Sequence, residues 1–257
     1  MSVSAASANS DRDSALGIAA LTSIILGVLL GLVATFVLFP DQGLSMAASF
    51  VGSSPKGFWY LSRASAFAAL GLLWVSMLLG LLITDKMAKN WPGAPVAFAL
   101  HEFVSLLGLG FGLFHALILL GDHYINYRLA QILMPFGSVN YHPVWVGLGQ
   151  IGFYTWAIIS ATFYIRQHIG SKAWKFIHYL SFFNFAIAVM HGIASGTDSS
   201  TTWAQAVYWT MGGSVLFFTA VRVIAGVVHP KPQPRAVHPA AARPQPAPSR
   251  AAQQPPD

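Results

Sequence analysis

The sequence predicts an all-α integral membrane protein, a six-helix bundle. Three observations predict it. Hydrophobic residues make up 55% of the chain and charged ones only 9%, where a soluble domain has about 25% charged. The apolar residues are gathered into six runs, roughly 15–38, 58–83, 97–120, 143–165, 174–194 and 203–228. Each run reaches or approaches the length that crosses a hydrocarbon core of about 30 Å at about 1.5 Å per residue. Helices are the expected spanning form, because backbone left unpaired in lipid is costly.

The first run is too long for a signal-peptide core, is not preceded by a basic segment and is followed by no small-residue cleavage site, so it reads as a membrane helix. The linkers are polar or helix-breaking: Pro40-Asp41-Gln42-Gly43, Asn90-Trp91-Pro92-Gly93, Gly121-Asp122-His123, Gly170-Ser171-Lys172 and Gly196-Thr197-Asp198. The domain organisation is then a short segment 1–14, a spanning domain 15–228 and a tail 229–257. The tail is mainly Pro, Ala, Gln and Arg and is expected to be disordered, which removes His229 and His238 from consideration as ligands.

Lysine and arginine fix the expected orientation. Arg12, Lys86, Lys89, Arg166, Lys172, Lys175, Arg222 and the tail's Lys231, Arg235, Arg243 and Arg250 fall on one side; Lys56, Arg63 and Arg128 fall on the other. The positive-inside rule places both termini in the cytoplasm. With no sorting signal, a bacterial plasma (inner) membrane is the expected location. The net charge of +6 does not point to nucleic acid, because the cations sit in short loops and the tail rather than on one basic face.

The chain has no cysteine. Disulfides, iron–sulfur clusters and thioether-attached haem are thereby excluded. Histidines are the strong transition-metal ligands that remain. Four lie inside apolar runs, where an ionisable side chain marks function by default: His101 and His115 in the third run, His178 and His191 in the fifth. The third and fifth runs point the same way. His101 and His178 therefore share one depth near the cytoplasm, and His115 and His191 share another nearer the outside. The vertical separations are about 21 Å and about 19.5 Å at about 1.5 Å per residue. Two such layers between the third and fifth helices can hold two hexacoordinate haems, since imidazole suits haem iron and a bundle core is a common place for it.

One spacing resists a straight helix. Thirteen residues from His178 to His191 miss whole turns by about 140°, so the fifth helix is expected to bulge, bend or redirect its side chains. Plainer accounts remain open: the histidines as hydrogen-bonding partners of neighbouring helices or proton relays, or a divalent-cation pathway, which lacks accompanying membrane carboxylates. Gly108, Gly110 and Gly112 lie within the third run and are expected to allow close approach of helices or a flat group. Phe111, Phe182 and Phe183 are candidates to fill the space between the layers. His123, His142 and His168 read as boundary residues. Trp203 and Trp209 read as interface and packing residues.

Trp59-Tyr60-Leu61-Ser62-Arg63-Ala64-Ser65, Leu100-His101-Glu102, Phe114-His115, Trp174-Lys175-Phe176-Ile177-His178-Tyr179-Leu180 and Met190-His191-Gly192 together resemble the ferric reductase-like transmembrane domain family, over roughly residues 58–215. This family includes the membrane cores of ferric reductases and NADPH oxidases and the haem-binding subunit of the periplasmic methionine sulfoxide reductase system. The paired 14- and 13-residue histidine spacings match its two-haem pattern. The resemblance implies haem b ligation by His101 with His178 and by His115 with His191. It also implies a role for Arg63 near the outer haem, by pairing with a propionate or attracting an anionic acceptor; the plainer reading is an arginine that snorkels to the outer interface beside Trp59.

The sequence departs from the oxidase branch, which carries a further histidine where Leu119 stands here, and this argues against oxygen reduction. No flavin- or nicotinamide-binding domain follows the sixth run, so a flavoprotein reductase or a membrane quinol is the implied donor. The implied acceptor is ferric iron or a periplasmic redox protein. The expected function is transmembrane electron transfer of ferric reductase type. The alternatives are an anchor subunit feeding a separate periplasmic reductase, and a non-redox transporter or haem sensor. Arg166, Lys172 and Lys175 are candidates to dock a flavoprotein or neutralise inner propionates, or simply follow the positive-inside rule. Glu102 is a candidate to tune His101 or move a proton, or simply faces the cytoplasmic interface.

Overall fold

The computed structural model describes residues 40–51, 56–85, 87–89, 92–139 and 141–228, with positions 26, 30, 33, 37 and 38. Apart from those five positions the first predicted run lies outside the described residues, as do segments 1–14 and 229–257. Among the described residues the regular structure is entirely helical. In chain order the helices are α1 (Pro40–Val51), α2 (Gly57–Thr84), α3 (Ala94–Ile118), α4 (Leu129–Leu133), α5 (Pro143–Tyr164), α6 (Arg166–Ile169), α7 (Ser171–Ser195) and α8 (Thr202–Val228). A 3₁₀ turn, Leu119–Gly121, extends α3.

Five helices are long and apolar enough to cross a membrane: Gly57–Thr84, Ala94–Gly121, Pro143–Tyr164, Ser171–Ser195 and Thr202–Ala225. They match the second to sixth predicted runs. Two linkers differ from expectation. Pro40-Asp41-Gln42-Gly43, expected to break a helix, is itself helical and lies within α1. The segment between α3 and α5 folds a short helix, α4, that no apolar run announces.

Two helical hairpins build the bundle. α2 packs along α3, and α5 packs along α7. α8 lies mainly against α2, while α2 with α7 and α3 with α5 join the hairpins. Leu70, Leu73, Met77, Trp156, Phe185 and Tyr208 form the core where they meet. Large apolar side chains elsewhere face outward, as on α8, where Leu216 and Phe217 are exposed. That inversion suits lipid, which solvates apolar surface as well as another side chain does. Trp203 packs on Phe67 with ring centroids 4.8 Å apart, and Trp209 faces outward.

The polar ends close the bundle. Asp122 is buried and accepts hydrogen bonds from the backbone N–H groups of Tyr124 and Ile125 at 3.0 and 2.9 Å. The Gln150 amide on α5 donates to the carbonyls of Gln131 and Ile132 at 2.6 and 2.7 Å, fastening α4 to the bundle. At the opposite end Arg222 of α8 pairs with Asp85 after α2 at 2.8 Å.

The glycine row in α3 divides by position. A Cβ on Gly108 would stand 2.7 Å from the Trp156 ring, so α3 and α5 depend on its absence. A Cβ on Gly112 would touch Phe153 at 3.4 Å, and one on Gly110 would meet nothing within 4 Å. Overpacking typically costs about 1–3 kcal/mol. Gly108→Leu is therefore expected to lower the thermal midpoint of the detergent-solubilised protein by several degrees, while Gly110→Ala leaves it unchanged or raises it. Equal behaviour of the two variants in a melting experiment would contradict this packing.

Candidate functional site

The site begins with a match of spacing between two helices. Ser62 and Ser76 on α2 are fourteen residues apart, as are His101 and His115 on α3. Because the hairpin is antiparallel, Ser62 lies opposite His115 and Ser76 opposite His101. The His115 Nδ1–H donates to the Ser62 carbonyl at 2.8 Å, and the Ser62 hydroxyl donates back to the His115 carbonyl at 3.0 Å. The His101 Nδ1–H donates to the Ser76 carbonyl at 2.9 Å. Ser105 donates to the His101 carbonyl at 2.6 Å, and the Ser76 and Ser105 hydroxyls lie 2.6 Å apart. All these contacts sit where water is scarce, so an unmade hydrogen bond would be costly.

The second hairpin holds its histidines differently. The His191 Nδ1–H donates to the Trp145 carbonyl of α5 at 2.8 Å. Gly149, one turn further along α5, gives the ring room: a Cβ there would stand 2.5 Å from His191 Nδ1. His178 stacks on Trp174, one turn earlier in α7, with ring centroids 5.1 Å apart and planes 23° apart. The helix is continuous α from Ser171 to Ser195, so no bulge reconciles the thirteen-residue step. The imidazoles meet the two layers from different flanks of α7.

The four imidazoles face one another in the two pairs expected from their depths. His101 and His178 have ring centroids 6.1 Å apart, with planes inclined by 70°. His115 and His191 have centroids 6.3 Å apart, with planes inclined by 75°. Three of the four Nδ1 atoms are committed to backbone carbonyls. Their Nε2 atoms are the ones left for a ligand, and a carbonyl on the other ring nitrogen is the usual way to orient a metal-binding imidazole.

Each pair lines its own cavity. His115 and His191 line one of about 260 Å³ toward the end that carries α4. His101 and His178 line one of about 370 Å³ toward the opposite end. Both walls are mainly apolar. Leu73, Trp156 and Asn184 line both cavities and so form the partition between them. Of the three phenylalanines expected there, only Phe182 lines a cavity; Phe111 and Phe183 face outward. The aromatic residue in the partition is Trp156, which Gly108 admits.

Arg63 lines the cavity of His115 and His191, and its guanidinium is clamped by Asp198. Arg63 Nε donates to Asp198 Oδ2 at 2.7 Å and Nη2 donates to Oδ1. Asp198 read as a linker residue in the sequence. Nearby, the Tyr141 hydroxyl donates to the Ser195 carbonyl at the end of α7 at 2.6 Å, and Tyr127 and Ser138 hydroxyls lie 2.6 Å apart. Burial pushes both phenols above their ordinary value, so they stay neutral at physiological pH.

At the other cavity, Glu102 accepts a hydrogen bond from Tyr164 at 2.8 Å. Lys175 lines that cavity, whereas Lys172 is exposed and Arg166 covers the Phe163 ring at 3.9 Å. His123 and His168 are exposed, and His142 caps α5; none of the three lines either cavity.

Among the described residues no group of three or more His, Cys, Asp or Glu side chains is placed to hold a metal ion. A metal bound here by two imidazoles must therefore bring its other ligands with it. A nitrogen ligand stands about 2 Å from a transition metal, so opposed imidazoles on one ion have ring centres roughly 6 Å apart. The two pairs, with ring centroids 6.1 and 6.3 Å apart, come close to that figure. Comparison with family models, with curated proteins and with solved structures finds no match for this chain.

Asn184 is 2% exposed, and its Oδ1 is buried without a hydrogen-bond partner. An unsatisfied buried acceptor costs about 1–3 kcal/mol. Asn184→Leu is expected to raise the thermal midpoint of the cofactor-free protein. A lowered midpoint would show that the amide has a stabilising role in the apoprotein fold.

Proposed function

We propose that this chain is a haem b membrane protein that carries electrons across the membrane, with one haem between His101 and His178 and another between His115 and His191. The observation that carries this reading is the facing of two imidazole pairs at metal-bridging distance across two cavities stacked through the bundle. Bound there, haem supplies reversible one-electron chemistry, while the protein supplies position, ligation and a low-dielectric surrounding.

The residues have distinct tasks. Ser62, Ser76 and Trp145 orient three imidazoles through their carbonyls. Trp174 holds the fourth by stacking. With both imidazoles of a pair holding it, such a group would keep no coordination position for a small substrate, which would favour electron exchange over catalysis at the metal. A continuous proton relay is less well supported, because the two layers are separated by Leu73 and Trp156 and three Nδ1–H groups already end on carbonyls. A divalent-cation pathway would need free carboxylates beside the histidines, and the two that line the cavities are engaged, Asp198 by Arg63 and Glu102 by Tyr164.

The family resemblance and the distribution of lysine and arginine support an orientation with both termini in the cytoplasm. Electrons then enter at the Lys175 end, from a flavoprotein or quinol, and leave at the Arg63 end to ferric iron or a periplasmic redox protein.

The test is haem content with a reduced-minus-oxidised spectrum of the purified protein. Wild type is expected to hold two b-type haems per chain. His115→Ala is expected to hold one, and Gly149→Val, which drives a side chain into the His191 ring, is expected to lose the same one. Folded wild type without haem would overturn the proposal.

A further inference from the structure

Among the described residues, Arg63 and Asp198 are the only fully charged side chains lining the cavity of His115 and His191. Apart from the two histidines the rest of its polar lining is uncharged, Gln131, Gln150, Tyr127 and Tyr141 among it. Two contacts between guanidinium and carboxylate hold the pair, and both side chains are largely shielded, at 31% and 17% exposure. The turn that carries Asp198 is itself fixed: the Thr201 hydroxyl donates to the Asp198 carbonyl at 2.6 Å, and Ser199 donates to the Gly192 carbonyl at 3.0 Å. The carboxylate is thus placed by backbone contacts that do not depend on its charge.

A free arginine at this mouth would draw anions. Here its charge is cancelled in place, and the adjacent C-terminal end of α7 adds partial negative charge from its last carbonyls. We propose that Asp198 sets the charge selectivity of the electron-exit mouth: by neutralising Arg63 it removes the preference for anionic acceptors and suits the site to neutral or cationic ones. This deepens the electron-transfer reading and rests on it. Each encounter moves one electron from the reduced site to a one-electron acceptor, and no bond is made or broken in the protein.

The experiment uses full-length protein in nanodiscs, reduced anaerobically and freed of reductant. Reoxidation of the haem bands is followed by stopped flow with trianionic ferricyanide or tricationic hexaammineruthenium(III) as acceptor. In Asp198→Asn the ferricyanide rate is expected to rise and the ruthenium rate to fall. Their ratio should change by about tenfold or more at low ionic strength and collapse toward the wild-type value in high salt, as one uncompensated charge near the acceptor dictates. Asp198→Glu is expected to retain the wild-type ratio.

Haem per chain separates the failures. Wild type without haem removes the electron-transfer reading and the inference with it. Haem at the wild-type level in Asp198→Asn with an unchanged ratio overturns the inference alone. Equal slowing of both acceptors, or a salt-insensitive change, assigns Asp198 a structural role and also overturns it.

Discussion

The hydrogen bond from an imidazole Nδ1–H to a backbone carbonyl of the neighbouring helix is the contact on which the rest depends. In the α2–α3 hairpin it occurs twice, at Ser62 with His115 and at Ser76 with His101. Helical carbonyls are already engaged along their own helix, so a second donor must approach from the side, at close range. Buried serines permit that approach, where a larger side chain would hold the helices apart. The same contacts fix the tautomer, turning Nε2 toward the space between the hairpins.

Everything else in the centre of the bundle serves to keep that space open and divided. α5 repeats the device with the Trp145 carbonyl and clears the ring's path with Gly149. Gly108 lets the Trp156 ring reach across from α5, where it joins Leu73 and Asn184 in the partition. The polar ends act as fasteners: Gln150 on the α4 loop, Arg222 with Asp85, and Arg63 with Asp198. The two cavities thereby acquire different electrical surroundings. One mouth carries a cancelled ion pair, and the other carries Lys175 and Glu102 beside the paired Arg222.

Much of this was legible in the sequence, because membrane helices are set by length and hydropathy. The second to sixth runs became α2, α3, α5, α7 and α8 with shifts of a few residues at their ends. His101 with His178, and His115 with His191, expected at shared depths, are also neighbours in space. What escaped was whatever depends on side-chain direction. The thirteen-residue step left a bulge, a bend or redirected side chains open, and the uninterrupted α-helix removes the bulge. Phe111 and Phe183 have the right depth and the wrong face. Asp198 lies 135 residues from Arg63, and no local pattern joins them. The fourteen-residue serine spacing was visible in the chain and equals the histidine spacing; it gains meaning only once α2 and α3 are known to be antiparallel neighbours.

The central claim, that each cavity holds one haem between two imidazoles, is tested most directly by low-temperature electron paramagnetic resonance of the oxidised protein. Bis-imidazole ligation requires low-spin ferric iron. Ring planes inclined by 70° and 75° further call for the strongly anisotropic low-spin signal given by near-perpendicular axial imidazoles. The account predicts two such signals, integrating to two spins per chain. A high-spin ferric signal would reveal an open coordination position, and either that or the absence of any haem signal would contradict the account.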